Sequence, residues 1–236
     1  MPSIYSRPEL YEAAFSFRDI PAEVDAIVRW VGGARARALE LAAGPAAHGI
    51  ELARRGVDVT ALDLSPAMVR HAARRARGAG VRIDAQVGDM TDFSLGGRFG
   101  LILLMAGAVG HLSSEEALRA HFACVARHLA AGGRYVVEAS QPGDDTTRDR
   151  WRLTRDGTRF DVRFSPRVLT VRVRQPDGRV LAFRDELGLR MWTAGELADA
   201  AAGSGLAVLQ RRRRLAGESR LLLVLGRQSS STDSSS

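Results

Sequence analysis

In the first 140 residues, short apolar runs alternate with segments whose apolar positions recur at helical spacing. The apolar runs predict strands at 36–41, 57–63, 81–87, 99–105 and 134–138. The intervening segments predict helices at 46–55, from Pro66 onward, and from Ser113 or Ser114 to Gly132-Gly133. This alternation is typical of parallel βαβ units, and strands that are apolar throughout indicate a sheet covered on both faces.

A period of two replaces this pattern between about 150 and 191. Apolar and polar residues alternate at 160–164, at 169–173 and again from 181 to 189. Asp156-Gly157 and Asp177-Gly178 separate these runs, and Asp-Gly is a favoured tight hairpin turn. We therefore predict an antiparallel β insert after the fifth strand.

The pattern after the insert completes one α/β domain that spans 1–228. Thr193 and Glu196 have the spacing of a helix capping box. Apolar runs at 205–210 and 221–225 predict two further strands, which makes a sheet of seven. Residues 229–236 are almost all serine and are predicted to be disordered.

Composition fits one large globular domain, with 236 residues of which 45% are hydrophobic and 26% charged. The formal net charge is +7, yet every cation is arginine and the acids are spread along the chain. The basic run 211–214 is interpreted as a solvated strand end, and no nucleic-acid partner is expected. The single Cys124, the lack of a signal peptide and the lack of a long apolar run predict a cytoplasmic protein without a membrane segment.

A small-residue loop follows the first strand, in the segment Glu40-Leu41-Ala42-Ala43-Gly44. It leads into a helix, whose N-terminal N–H groups can face a ligand. Asp63 ends the second strand, where an acid can accept hydrogen bonds from both hydroxyls of a ribose. Dinucleotides and S-adenosylmethionine both use this arrangement. The loop lacks the glycines of G-x-G-x-x-G, which disfavours a nicotinamide oxidoreductase and favours S-adenosylmethionine.

The ends of the next strands carry further candidates. Asp89 and Met90 follow the third strand, where an acid can accept from an adenine amino group and an apolar neighbour can flank the ring. Met105 ends the fourth strand, and His111 lies just beyond it, where it could act as a base or orient an acceptor. All these positions are expected at the carboxyl edge of the sheet, where open α/β sheets bind ligands.

These motifs resemble those of the class I S-adenosylmethionine-dependent methyltransferases, over about residues 5–226. The matching motifs are 40–44, 62–68, 88–90 and the approach to the fifth strand at 126–133. The chain is most similar to small-molecule enzymes that include the N,N-dimethyltransferases of amino-sugar biosynthesis. Shared features are Leu10-Tyr11, Gly110-His111 and the β insert. The resemblance implies a Rossmann-like, mostly parallel sheet and methyl transfer from S-adenosylmethionine to nitrogen or oxygen of a small-molecule acceptor in specialised metabolism.

The resemblance also assigns roles to residues. Catalysis is expected of His111 and Tyr11, the latter in an N-terminal lid, and no metal is expected. The expected cofactor-binding residues are Tyr11, Arg18, Glu40, Ala42, Gly44, Asp63, Leu64, Met68, Asp89, Met90 and Met105. The expected substrate residues are His111, Glu138, Trp151 and Arg190. In this scheme Arg18 pairs with the cofactor carboxylate and Glu138 holds an acceptor amine.

Alternatives remain open at this point. The first motif has alanine where the family has glycine, and Gly100 stands where an acid is common. Alanine adopts a positive φ only at a cost, so a degenerate, non-catalytic relative is one alternative. A nucleic-acid methyltransferase is a second, prompted by the basic charge. Edge strands of the insert could also pair in a homodimer.

Overall fold

The computed structural model describes residues 1–33, 35–140 and 150–228, and they form two sheets with helices around them. The strands are β1 (Arg37–Leu41), β2 (Asp58–Asp63), β3 (Asp84–Val87), β4 (Phe99–Leu104), β5 (Leu129–Ala139), β6 (Arg150–Arg155), β7 (Thr158–Phe164), β8 (Val168–Arg174), β9 (Val180–Glu186), β10 (Leu206–Leu215) and β11 (Glu218–Arg227). The helices are α1 (Pro8–Ala14), α2 (Ile20–Trp30), α3 (Ala47–Arg54), α4 (Pro66–Gly78), α5 (Glu115–His128) and α6 (Ala194–Ala202), with 3₁₀ turns at Ile4–Ser6 and Ala108–His111.

The larger sheet has seven strands in the order β10-β11-β5-β4-β1-β2-β3. The first five strands of the chain pair in parallel, while β11 is antiparallel to β5 and to β10. Leu41 of β1 stands beside Leu62 of β2 and Leu104 of β4, so the loops after these strands are neighbours. The predicted Rossmann-like, mostly parallel sheet is confirmed.

Helices cover both faces of this sheet, as the apolar strands predicted. Leu101 and Leu103 of β4 pack in the cluster that contains Ile27 of α2. Ile102 and Leu104 point the other way and pack in the cluster that contains Phe122 of α5. The alternation of side chains along a strand therefore assigns each residue of β4 to one layer.

The predicted end of helix α5 was wrong. The helix ends at His128, and Gly132-Gly133 lies inside β5, at a register shift between β5 and β4. Gly132 has φ 67°, and a Cβ on Gly133 would lie 3.0 Å from the Phe99 carbonyl oxygen. The glycine pair thus serves a bulge and a close strand approach rather than a helix cap.

The insert forms a separate four-stranded antiparallel sheet in the order β6-β7-β8-β9. Asp156-Gly157 and Asp177-Gly178 lie between β6 and β7 and between β8 and β9, as predicted. One face is apolar and packs against the N-terminal residues Ile4 and Ala14. The exposed face carries Arg159, Arg163, Arg172, Arg174 and Arg184.

The N-terminal segment is held between the insert and α4. The Ile4 N–H donates to Asp185 of β9 at 3.0 Å, and Trp151 of β6 donates to the Ala14 carbonyl at 2.8 Å. On the other side, Glu12 pairs with His71 of α4 at 2.7 Å. Among the described residues no helix combines the length and apolarity needed to cross a membrane. The serine-rich tail predicted at 229–236 lies outside the described residues.

Candidate cofactor and acceptor site

Asp63, at the end of β2, joins two loops at the carboxyl edge of the sheet. Its Oδ2 accepts from the Gly44 N–H at 2.6 Å and its Oδ1 from the Ser65 N–H at 2.8 Å. Burial raises the pKa of Asp63, Glu40 adds to the rise, and the two backbone donors and His111 oppose it. Because a carboxylate oxygen can accept more than one hydrogen bond, both oxygens keep capacity for ribose hydroxyls.

The loop after β1 keeps a glycine-like path although two of its positions are alanine. Ala42, Gly44 and Ala46 have φ values of 47°, 51° and 54°. This left-handed conformation costs a residue with a side chain about 1–2 kcal/mol. No heavy atom lies within 4 Å of where a Cβ on Gly44 would stand, so the loop is open on that side.

Glu40, near the end of β1, connects the strand to the start of α3. Its side chain is buried, and its Oε2 accepts from the Gly49 N–H of α3 at 2.7 Å. A Cβ on Gly49 would meet that same oxygen, so the contact requires glycine. His48 lies between Glu40 and Glu23, at 3.4 and 2.8 Å. Burial alone would lower the pKa of His48, but these two carboxylates raise it overall.

Four of the predicted cofactor-binding residues, which follow β2 and β3, differ in their exposure. Asp89 is exposed, and its Oδ1 accepts from the backbone and hydroxyl of Thr91 at 2.7 Å. Leu64 is 71% exposed and Met90 is partly buried beside the core. Met68 is only 2% exposed, and its side chain packs inside the protein.

The N-terminal segment brings two phenols toward Asp63. Burial raises the pKa of Tyr11 to about 12, and the charge of Asp63 adds to the rise. Burial also raises the pKa of Tyr5, with contributions from Tyr11 and Asp63. The rings of Tyr5 and Tyr11 are 5.3 Å apart, and Tyr11 stacks on Phe15 at 4.6 Å. Tyr5 was not identified from the sequence as a candidate residue of the site. Aromatic residues at 5, 11 and 15 are nevertheless a local excess in a chain with 6% aromatics.

The loop after β4 carries His111. Ala106 and Gly107 are both left-handed, with φ values of 58° and 68°, and the 3₁₀ turn follows. Desolvation lowers the pKa of His111, while the Asp63 carboxylate opposes the shift. Met105 is 5% exposed and packs toward α2.

Arg18 and Glu138 pair with each other in the interior. Arg18 Nη2 lies 2.7 Å from Glu138 and 2.7 Å from Glu23. Glu138 is 1% exposed and also accepts from Arg220 Nη1 at 2.8 Å and the Ala106 N–H at 2.9 Å. Burial opposes ionisation, but the two arginines outweigh it and lower the pKa of Glu138 to about 2. The prediction that Glu138 holds an acceptor amine is therefore corrected, because its carboxylate is enclosed by these donors.

A small cleft with a volume of about 20 Å³, open to solvent, separates the loop after β4 from the insert. It is lined by Gly107, Val109, Gly110, Ser140, Phe164, Pro166, Leu189, Arg190, Met191 and Trp192. Arg190 lines the cleft, with its guanidinium 3.6 Å from the Trp192 ring and 2.8 Å from Glu196. Trp151 does not, because it packs edge-on against Phe15.

The remaining histidines have structural partners. His121 lies between the Met90 carbonyl and the Tyr135 hydroxyl, and burial lowers its pKa to about 4. His128 contacts the Cys124 carbonyl and accepts from the Leu95 N–H. Within the described ranges, no group of three or more His, Cys, Asp or Glu side chains is arranged to hold a metal ion.

Comparison with known proteins identifies relatives of the same kind. Residues 38–133 match a family model described as a methyltransferase domain. The chain is 35% identical over 130 residues to dTDP-3-amino-3,4,6-trideoxy-alpha-D-glucopyranose N,N-dimethyltransferase of Streptomyces venezuelae, which covers 55% of this chain and 52% of that protein. It is 36% identical over 117 residues to dTDP-3-amino-3,6-dideoxy-alpha-D-glucopyranose N,N-dimethyltransferase of Streptomyces fradiae, covering 50% and 44%. The match thus spans about half the length of these curated relatives.

Solved structures match over more of the chain. DesVI of Streptomyces venezuelae is 26% identical with a TM-score of 0.73, over 92% of this chain and 95% of that one. CalS10, an amino pentose methyltransferase from Micromonospora echinaspora solved with S-adenosylmethionine bound, is 27% identical with a TM-score of 0.71, over 93% and 97%. The region matched by the family model contains the loop at 40–44, Asp63, Asp89 and His111. This chain therefore resembles methyltransferases in sequence over residues 38–133 and an amino pentose methyltransferase in structure over 93% of its length.

Proposed function

We propose that this protein transfers a methyl group from S-adenosylmethionine to the amine of a small-molecule acceptor, an amino sugar of specialised metabolism. Relatives that are named as N,N-dimethyltransferases of dTDP-linked amino sugars support the acceptor class. The observation that carries the proposal is the junction of Asp63 with the Gly44 N–H at the carboxyl edge of the sheet.

The residues at the carboxyl ends of β1, β2 and β3 fit the cofactor. Asp63 would accept from the ribose hydroxyls, and Asp89, which is exposed, would accept from the adenine amino group. The open side of Gly44 admits a ligand close to the backbone. When bound, S-adenosylmethionine supplies an activated methyl group on a sulfonium. Holding the acceptor in line with that group can provide about 7–11 kcal/mol of the rate acceleration.

His111 and Tyr11 have the protonation states that this chemistry needs. An amine attacks only after it has lost its proton, and the lowered pKa of His111 keeps its imidazole neutral near pH 7, ready to accept one. Tyr11 keeps its proton because its pKa is raised to about 12. It can therefore donate a hydrogen bond or present its ring to a cation. The cleft lined by Arg190 and Trp192 is the proposed acceptor pocket.

Isothermal titration with S-adenosylmethionine tests the cofactor half of the proposal. We expect micromolar binding to the wild-type protein and at least a tenfold loss in Asp63→Ala. Asp58→Ala is the matched control, because Asp58 lies at the other end of the same strand, where it pairs with Arg37 at the surface. Absence of binding to the wild-type protein would favour a degenerate relative.

Mass spectrometry tests the acceptor half. dTDP-3-amino-3,4,6-trideoxy-D-glucose is incubated with protein and S-adenosylmethionine, and mono- and dimethylated products are sought. Methyl incorporation into the sugar nucleotide that disappears in His111→Ala, while cofactor affinity holds within about twofold, supports the proposal. Incorporation into total RNA or DNA but not into the amino sugar would contradict it.

A further inference from the structure

Glu138 is a buried carboxylate at the point where β5, β11, the N-terminal segment and the loop after β4 meet. Its Oε1 accepts from Arg220 Nη1 at 2.8 Å and from Arg18 Nη1 at 3.3 Å. Its Oε2 accepts from Arg18 Nη2 at 2.7 Å and from the Ala106 N–H at 2.9 Å. Four donors around a carboxylate that is 1% exposed leave it no room to bind an acceptor.

The backbone that Glu138 holds is strained. Ala106 and Gly107 are consecutive left-handed residues, and Ala106 carries a side chain. Such a conformation persists only where the surroundings hold it, and it is concentrated at functional sites. A Cβ on Gly107 would collide with the Ser140 hydroxyl, so this turn also packs tightly against the end of β5. The bond from the Ala106 N–H to Glu138 fixes the start of the turn that ends at His111.

The same carboxylate connects this turn to the N-terminal segment. Arg18 lies between α1 and α2 and is held by Glu23 on one side and by Glu138 on the other. Arg220 supports Glu138 from β11 and is itself paired with Glu218. The carboxylate is thus fixed by both arginines, and turning it away from Ala106 would break its bonds to them.

We propose that Glu138 is a positioning residue: by holding the Ala106–Gly107 turn, it fixes His111 at the end of the 3₁₀ turn that follows, and through Arg18 it ties that turn to the N-terminal segment carrying Tyr11. This inference rests on the proposed function where it gives His111 a part in methyl transfer. The placement of His111 by Glu138 can be measured without turnover.

The test is NMR of isotope-labelled Glu138→Asp, which keeps the charge but withdraws it by one methylene group. We expect the Ala106 amide to exchange with solvent at least tenfold faster than in the wild-type protein. We also expect the pKa of His111 to return toward 6.5 as the ring leaves its desolvated position. Glu218→Gln is the matched control: it removes the other partner of Arg220 without touching the turn, and should change neither readout.

A role in stability alone would lower the melting temperature without moving His111. An unchanged Ala106 exchange rate and an unchanged His111 titration in folded Glu138→Asp would overturn the proposal. If that variant does not fold, Arg18→Lys keeps the cation and loses the fork that holds Glu138, so the His111 titration should move in the same direction. An unchanged titration there overturns the proposal equally. Failure of the proposed function would instead appear as loss of S-adenosylmethionine binding or methyl transfer in the wild-type protein, with both NMR differences intact.

Discussion

At the scale of single residues, the loop after β1 has a strained backbone at Ala42, and glycine would relieve that strain. Ala42 has φ 47° and is partly buried, whereas Ala43 next to it is not among the residues with positive φ. We predict that Ala42→Gly stabilises the protein by about 1 kcal/mol, because the left-handed penalty exceeds the entropy that glycine loses on folding. For a chain of this length the melting temperature should rise by about 2–4 °C, measured by calorimetry.

Ala43→Gly provides the control for this prediction. It adds backbone freedom without relieving strain and also removes a buried methyl group, so it should lower the melting temperature. If both variants lower it, the loop does not adopt the left-handed conformation at Ala42 in solution.

The ionisation of Asp63 should control cofactor affinity. Only the carboxylate accepts from both ribose hydroxyls, and burial raises the pKa of this group above its ordinary 3.8. Affinity for S-adenosylmethionine should therefore be fully present at neutral pH and weaken as the pH falls through the raised pKa of Asp63. Titration calorimetry across this range checks the prediction. Asp63→Asn should bind weakly at every pH, and an equally steep pH dependence in that variant would assign the effect to another group.

At the scale of secondary-structure elements, helix α1 is connected to the loop after β1 by contacts with α4. Glu12 is 2.7 Å from His71 Nε2 and 2.7 Å from Arg75 Nε. Arg75 also donates to the Pro45 carbonyl at 2.7 Å, so one guanidinium connects α1 with the loop. His71 is only 7% exposed, and it lies beneath α1.

Glu12→Gln should loosen this contact. We expect the N-terminal segment to be cleaved several times faster by a protease under native conditions, and S-adenosylmethionine to bind a few-fold more weakly, because Arg75 links Glu12 of α1 to the loop after β1. Glu9→Gln is the control, since Glu9 pairs with Arg74 on the surface, where an ion pair contributes little. Equal cleavage rates for both variants would show that the Glu12 contacts do not hold the segment.

Much of the element order could be predicted because it depends on local pattern. The strands, the Asp-Gly hairpins and the Thr193–Glu196 capping box all follow from neighbouring residues, and the structure contains each of them. Whether a residue at the end of a strand faces the edge of the sheet or the core depends on which way its side chain points. Met105 falls on the same side of its strand as Leu101 and Leu103, and that alternation, applied consistently, would have placed it in the core.

The parts that could not be predicted depend on pairs far apart in sequence. Glu138 and Arg220 are 82 positions apart and meet only because β11 lies beside β5. Arg18 and Glu138 are 120 positions apart. Charge and spacing do not indicate which of the many arginines finds a buried acid, so the interior ion pairs emerge only with the sheet order.

At the scale of the whole molecule, the excess of arginine is concentrated on the exposed face of the insert. Arg159 of β7 stands directly opposite Arg174 of β8, and Arg163 stands opposite Arg150 of β6. Like charges that face each other across strands are destabilising. Two copies of the chain would not stack through this face without bringing such charges together. The homodimer suggested by the edge strands stays a prediction about other surfaces.

Arg174→Glu should therefore stabilise the protein. It replaces a repulsive pair with an attractive one opposite Arg159, which gives about 0.2–1 kcal/mol, measured by denaturant unfolding at low ionic strength. The gain should shrink in 1 M salt, where the screening length is about 3 Å. Arg155→Glu is the control, because Thr158 stands opposite Arg155. An equal gain in both variants would reflect lower net charge rather than the local pair.

The residues proposed for the cofactor and those proposed for the acceptor follow different strands of the large sheet. Residues proposed for the cofactor follow β1, β2 and β3, whereas the cleft proposed for the acceptor is built from the turn after β4, the end of β5 and the insert. The insert enters and leaves the chain between β5 and α6, so it can diverge without disturbing the first three crossovers. Proteins with this architecture can therefore acquire new acceptors through changes in the insert alone, while the residues proposed to bind the methyl donor stay the same.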